Sequence, residues 1–207
     1  MKKSWNEITI NDYKRLKEIS DRELDSDLEK SVGYLSVLMG VDEKTVWNRS
    51  VTELKGMLAD IEWLKEPYTF DKNWKSNRIV INEKKYDICV DINKFTVSQY
   101  ADFQIYWEHR TEPEYMGKLL SCFIVPHNKK YNDGYDVLEL VKTLEDAISV
   151  NTYNSICFFF LQDCVYSIKG SLLYSRYLMR KMKGKMDEEK YRELQRQLRM
   201  LTGTMTL

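Results

Sequence analysis

The stretch RIVINEKKYDICV, residues 78–90, decides the fold class, because the apolar pattern of the chain changes its period there. Residues 78–81 and 86–90 are mainly apolar and rich in β-branched side chains, whereas residues 82–85 between them are polar. This pattern predicts a β-hairpin with strands over 78–81 and 86–90 and a turn over 82–85. A two-stranded hairpin is only marginally stable alone, so we expect it to pack on helices or on a partner.

Short helices are predicted on the N-terminal side of the hairpin. Capping boxes, in which a Ser or Thr precedes an acidic residue by three positions, begin at Thr9, Ser26 and Ser50. Apolar side chains recur at helical spacing behind each box. Gly40 ends the second helix, and Asp42 begins a further short helix. The first 66 residues therefore read as a compact set of short helices.

Helices are also predicted on the C-terminal side. A fourth capping box begins at Thr96, and Pro113 fits the first turn of the following helix, which closes before Pro126. Two more helices are expected over 137–150 and 152–183, the second with an apolar face wide enough for a central helix. The predicted fold is mainly α with a small β-hairpin and orthogonally packed helices.

Three regions follow from this pattern. Residues 1–66 form an N-terminal short-helix bundle, residues 67–95 a β-hairpin connector, and residues 96–207 a C-terminal helical region. The last region contains the long central helix and a basic terminal helix.

Composition excludes several functional classes. The 207 residues include 32 Lys or Arg and 32 Asp or Glu, and this zero net charge argues against a strongly basic nucleic-acid-binding surface. Eight glycines and three prolines are too few for glycine-rich phosphate loops. No signal-peptide pattern and no apolar run of about 20 residues is present, so we expect a cytoplasmic protein without a membrane segment.

No constellation of catalytic or metal-binding residues stands out. The four cysteines form no C-x-x-C pair, and the two histidines lack metal-ligand spacing. Cys122 with His127 is the one conceivable nucleophilic pair, although Cys122 is expected in a helix core and His127 in a solvated loop. Residues 127–136 are too short for a calcium loop and are expected to form a turn with aromatic anchors. We therefore predict neither enzymatic activity nor a metal or cofactor.

Aromatic and basic residues are the candidates for partner contacts. The chain has 14 Tyr, 7 Phe and 5 Trp, a large supply of rigid contact area. Residues 169–207 hold ten Lys or Arg and four Asp or Glu, a net charge of +6, which could face nucleic acid, an acidic protein or solvent. Methionines in the same segment favour a protein partner. The predicted contacts are Trp5, Trp47, Trp74, Tyr131, Tyr135, Arg176, Arg180, Lys181, Met182 and Met186, with Trp63 and Trp107 as further candidates.

Several of these segments resemble proteins of tailed bacteriophages. Residues 5–16, WNEITINDYKRL, resemble the W-x-E-I-T-[IL]-x-x-Y start of phage tail-assembly-chaperone-like and virion-associated proteins. The helical block through 50–54 and the hairpin followed by FTVSQY, residues 95–100, fit the same pattern. FIVP at 123–126 with KYNDGYD at 130–136 resembles segments in proteins of crAss-like gut phages. The likeness covers most of residues 5–180.

The resemblance implies a non-catalytic virion protein. Such a protein would be a ring or neck component at the portal–tail junction, located in the virion or in the infected host cytoplasm. Its partners would be other phage structural proteins and copies of itself. A tail-assembly chaperone that is absent from the virion is one alternative. A nucleic-acid-binding module that uses the basic C-terminal helices is another.

Overall fold

A computed structural model describes residues 1–23, 26–69, 71, 74, 76–162 and 164. The chain divides into two compact units, residues 1–160 and residues 161–207. Most of the second unit lies outside the described residues. The elements below therefore belong to the first unit, apart from the end of the last helix, which is described up to residue 162.

The described residues are mostly helical and carry a small antiparallel sheet, which confirms the predicted fold class. The strands are β1 (Arg78–Ile81), β2 (Lys84–Ile88) and β3 (Ile124–Pro126), in the order β1-β2-β3. Single 3-10 turns cover Glu62–Lys65 and Ile92–Lys94. The helices are α1 (Ile10–Asp21), α2 (Asp27–Met39), α3 (Glu43–Trp47), α4 (Val51–Asp60), α5 (Val97–Glu108), α6 (Pro113–Phe123), α7 (Val137–Ala147) and α8, described over 150–162.

Local side-chain chemistry sets most helix ends, as the sequence predicts. Full capping boxes are present at Thr9, Ser50 and Thr96, where the side chain at the third helical position bonds back to the cap. At Ser26 the hydroxyl accepts a hydrogen bond from the Glu29 amide. Gly40 ends α2 with a φ of 67°, a left-handed conformation that costs glycine little.

The sheet differs from the predicted hairpin in two ways. The turn consists of Asn82 and Glu83 alone, with φ of 49° and 65°, so β2 begins at Lys84 and not at Tyr86. Positive φ at both central positions matches the right-handed strand twist of a two-residue hairpin. The sequence also did not reveal β3, because its three residues directly follow a helix. Its pairing with β2 supplies the third strand that stabilises the hairpin.

The predicted helix over 137–150 is interrupted. It ends at Ala147, residues 148–149 are extended, and a new helix begins at 150. Thr9 and Ser149 form an antiparallel bridge, in which the Ile10 amide donates to the Ile148 carbonyl at 3.0 Å. The Val150 amide donates to the Ile8 carbonyl at 2.9 Å. The helix-start junction is the name we give to these six residues, Ile8, Thr9, Ile10, Ile148, Ser149 and Val150.

The core crosses the region boundaries predicted at residues 66 and 95. Helix α1 packs against α6 and α7 as well as against α2, and α5 packs against α6. Phe103, Phe123 and Phe160 meet with ring centroids 4.9 to 5.8 Å apart. Residues 1–160 form one compact unit, in which the N-terminal helices share their core with later ones. The division at residues 66 and 95 stays a prediction.

Within the part of the chain that the structure describes, every helix is too short or too polar to cross a membrane.

Close packing of α1 on α2 requires a glycine at residue 33. A Cβ atom at Gly33 would lie 2.9 Å from Cγ2 of the buried Ile19. Gly56 in α4 has no atom within 4 Å of the corresponding position. Gly56 is therefore a control for Gly33, because the same added methyl group meets a core side chain at Gly33 and open space at Gly56.

We expect Gly33→Ala to lower the free energy of unfolding by about 1–3 kcal/mol, because the added methyl group overpacks the core. Gly56→Ala should raise it by about 0.5–1 kcal/mol through higher helix propensity. Urea denaturation of the two variants checks both values. Equal effects of the two substitutions would contradict the close approach of α1 and α2.

Candidate partner-binding site

An apolar groove opens between the N-terminal helices. It has a volume of about 720 Å³ and is bounded by α1, α2, α4 and the 3-10 turn over Glu62–Lys65. We call it the N-terminal groove. Its floor includes the buried Leu16 and Ile61 and the half-buried Tyr34, Leu58 and Leu64.

Trp5 forms one part of the groove lining and is held in place on several sides. Its indole N–H donates to the Glu66 carbonyl at 2.9 Å. Its ring lies nearly perpendicular to that of Trp63, at a centroid distance of 5.4 Å, and also contacts Tyr13 and Tyr68. Edge-to-face contacts of this kind fix ring orientation beyond simple burial. The groove lining is therefore preformed at this point.

The rim of the groove carries more positive than negative charge. Lys17, Lys55 and Lys65 are exposed there, together with Glu62. Lys17 Nζ lies 2.7 Å from the carboxylate of Asp21, and this hydrogen bond raises the pKa of the Lys17 ammonium. Lys65 Nζ lies 3.6 Å from the Glu62 carboxylate.

Two tyrosines add hydroxyl groups to the groove. Tyr13 and Tyr34 are half-buried in its lining. Burial, followed by the nearby Tyr68, raises the pKa of Tyr13, so its hydroxyl stays protonated at neutral pH. The groove thus combines an apolar floor with hydrogen-bond donors at its edges.

The predicted contact tryptophans do not share one surface. Trp5 lines the N-terminal groove and packs on Trp63. Trp47 is 47% exposed at the end of α3, away from that groove. Trp74 is half-buried and lies 5.9 Å from the ring of Phe159. Trp107 packs in the aromatic core against Phe103 and Phe160.

The two predicted contact tyrosines belong to the loop over 127–136. Tyr131 is 8% exposed, and its hydroxyl donates to Asp102 at 2.7 Å, so it anchors the loop to α5. Tyr135 is half-buried, and its hydroxyl accepts from the Asn132 amide. The remaining predicted contacts, Arg176, Arg180, Lys181, Met182 and Met186, lie outside the described residues.

Cys122 and His127 have separate partners in the structure. Cys122 is fully buried, and burial raises the pKa of its thiol to about 12, which disfavours the nucleophilic thiolate. The His127 Nδ1 atom lies 2.8 Å from the carboxylate of Asp87. Among the described residues, no group of three or more His, Cys, Asp or Glu could hold a metal ion.

Sequence reasoning missed the three lysines and Tyr34. They lie on four different elements, and no local motif connects them. One signal was available in α1, where Tyr13, Leu16, Lys17 and Ser20 share a helix face at spacings of three and four.

No family model, curated protein or solved structure matches this chain.

Asp87 organises the polar end of the sheet near His127. Its carboxylate accepts hydrogen bonds from Arg78 Nε at 3.0 Å, from the His127 ring and from the Asn128 amide. Burial opposes ionisation of Asp87, but the hydrogen bonds from His127, Asn128 and Arg78 outweigh it and lower the pKa of this carboxyl. The ionised carboxylate therefore stabilises the fold above the pKa of an unfolded aspartate, about 3.9.

We expect Asp87→Asn to reduce stability at pH 7 by about 0.5–1 kcal/mol, a small value because Asp87 and its partner Arg78 are both partly exposed to solvent. The difference from wild type should disappear as the pH falls through the lowered pKa of Asp87, where the native carboxyl also becomes neutral. Thermal denaturation between pH 7 and pH 2 measures this difference in stability between wild type and Asp87→Asn. Asp133→Asn in the exposed loop is the control. A deficit that persists at the lowest pH would contradict this role for the Asp87 charge.

Proposed function

We propose that this chain is a non-catalytic structural or assembly protein of a tailed-phage virion and that it acts by binding other proteins. The N-terminal groove is the observation that carries the proposal, because it presents apolar and aromatic side chains at a preformed surface. Preformed surfaces of this kind bind with little ordering cost. The resemblance of residues 5–16, 123–126 and 130–136 to segments of phage proteins is the reason for proposing a virion setting.

Burial of apolar surface would supply the affinity. Each large apolar side chain that a partner buries in such a groove contributes about 1.5–3 kcal/mol of transfer free energy before the costs of association. The exposed lysines at the rim would add orientation and faster association more than affinity. A protein component of this type would need no reacting group.

The proposed function includes two alternatives, a subunit of the finished particle and an assembly chaperone. A ring or neck subunit at the portal–tail junction would remain in the particle and contact copies of itself. An assembly chaperone would bind the same kind of partner and leave before maturation. We favour the ring or neck subunit.

Mass spectrometry of purified particles and of their assembly precursors tests the proposal. We expect the chain in mature particles at a fixed stoichiometry. Presence in precursors alone would identify the chaperone form. Absence from both particles and precursors would contradict the proposed function.

A variant that fills the groove links the function to this surface. Ala59 is exposed in the groove lining on α4, so Ala59→Tyr should obstruct the groove without removing a core side chain. Thr52→Tyr places the same side chain at an exposed position of α4 outside the groove lining. We expect Ala59→Tyr to reduce incorporation into particles or precursors at least about tenfold, the loss of about 1.4 kcal/mol of binding free energy, while Thr52→Tyr leaves it unchanged. Normal incorporation of both variants would show that the groove is not used.

A further inference from the structure

We infer that the partner presents to the N-terminal groove an amphipathic α-helix with carboxylate side chains along the edges of its apolar face. This inference rests on the proposed function, since it names the chemistry of the segment that the groove receives.

The construction of the groove favours a helical occupant. Its walls are α1, α2, α4 and a 3-10 turn, and no strand of the sheet contributes to its lining. Backbone groups within helices are already hydrogen-bonded to one another. An extended segment in the groove would therefore bury its own N–H and C=O groups without strand partners, whereas a helix satisfies them internally.

The charged side chains at the rim favour acidic flanks on that helix. The groove lining contains three lysines and one glutamate, which leaves an excess of positive charge. Lys17 and Lys65 have carboxylate neighbours on their own elements. Among the described residues, Lys55 has no carboxylate oxygen within 4.0 Å, so its charge is the one most available to a partner.

The hydroxyl groups of the lining can serve the same partner chemistry. Tyr13 and Tyr34 are half-buried beside Lys17, and Ser20 adds an exposed hydroxyl on the same face of α1. These hydroxyls can donate hydrogen bonds to a carboxylate. The positive charge of Lys17 beside them makes a carboxylate a better neighbour for this edge than a cationic side chain.

A pair of designed peptides tests the inference on the full chain. Both peptides have about 16 residues, long enough to form a helix, and share one apolar face. One carries glutamates and the other lysines at the edges of that face. Fluorescence anisotropy of the labelled peptides measures the dissociation constants, and circular dichroism measures helix formation on binding. We expect the acidic peptide to bind at least about tenfold more tightly, to become helical, and to weaken with added salt.

Charge variants of the chain locate the effect. Lys55→Glu should weaken binding of the acidic peptide about 3- to 10-fold and strengthen binding of the basic peptide, as expected for a rim charge. Lys44→Glu, on the exposed surface of α3 outside the groove, makes the same charge change and should alter neither. Ala59→Tyr should abolish binding of both peptides.

Three results would overturn the inference. The basic peptide could bind as tightly as the acidic one, or the acidic peptide could bind without becoming helical. Alternatively, the chain could self-associate in a way that Ala59→Tyr prevents, which would make a second copy the occupant. None of these results decides whether the chain is present in particles and precursors, so the proposed function is judged separately.

Discussion

The first unit depends on two helices that begin at the same point from distant parts of the chain. In the helix-start junction, the Ile10 amide at the start of α1 donates to the Ile148 carbonyl, just before the first residue of the α8 cap. The Val150 amide at the start of α8 donates in the same way to the Ile8 carbonyl, just before the cap of α1. First-turn amides ordinarily lack a partner within their helix. Thr9 and Ser149 each also accept a hydrogen bond from the amide three residues onward, at 3.2 Å. The side chains of Ile8, Ile10, Ile148 and Val150 are at most 1% exposed, so water cannot replace these bonds cheaply.

This junction also bears on the N-terminal groove. Helix α1 is one wall of that groove, and Trp5 lies just before the helix. Because the start of α1 is bonded to the start of α8, the segment that carries Trp5 is fixed at one end. The hydrogen bond from the Trp5 indole to the Glu66 carbonyl fixes the other end of this segment. The groove therefore combines a rigid floor with exposed lysines, an arrangement that lowers the ordering cost of binding.

The sequence predicted the features that local chemistry determines. The caps at Thr9, Ser50 and Thr96 need only a side chain and a backbone amide three residues away, and they appear where expected. The break at residues 148–149 depends on pairing with Thr9, so no neighbouring residue signals it. The same limit applies to β3, whose pairing partner lies in the hairpin, and to the groove, whose lining residues come from separate helices. Trp5 was identified as a contact residue, but its environment required the tertiary structure.

We expect the helix-start junction to make residues 1–160 one cooperative unit. Native-state hydrogen exchange of the Ile10 and Val150 amides tests this most directly. Both amides should exchange with the same free energy of opening and the same denaturant dependence as the amides of the buried Leu35 in α2 and Leu119 in α6. Exchange of Ile10 and Val150 through a small local opening, or separate unfolding of Leu35 and Leu119, would contradict it.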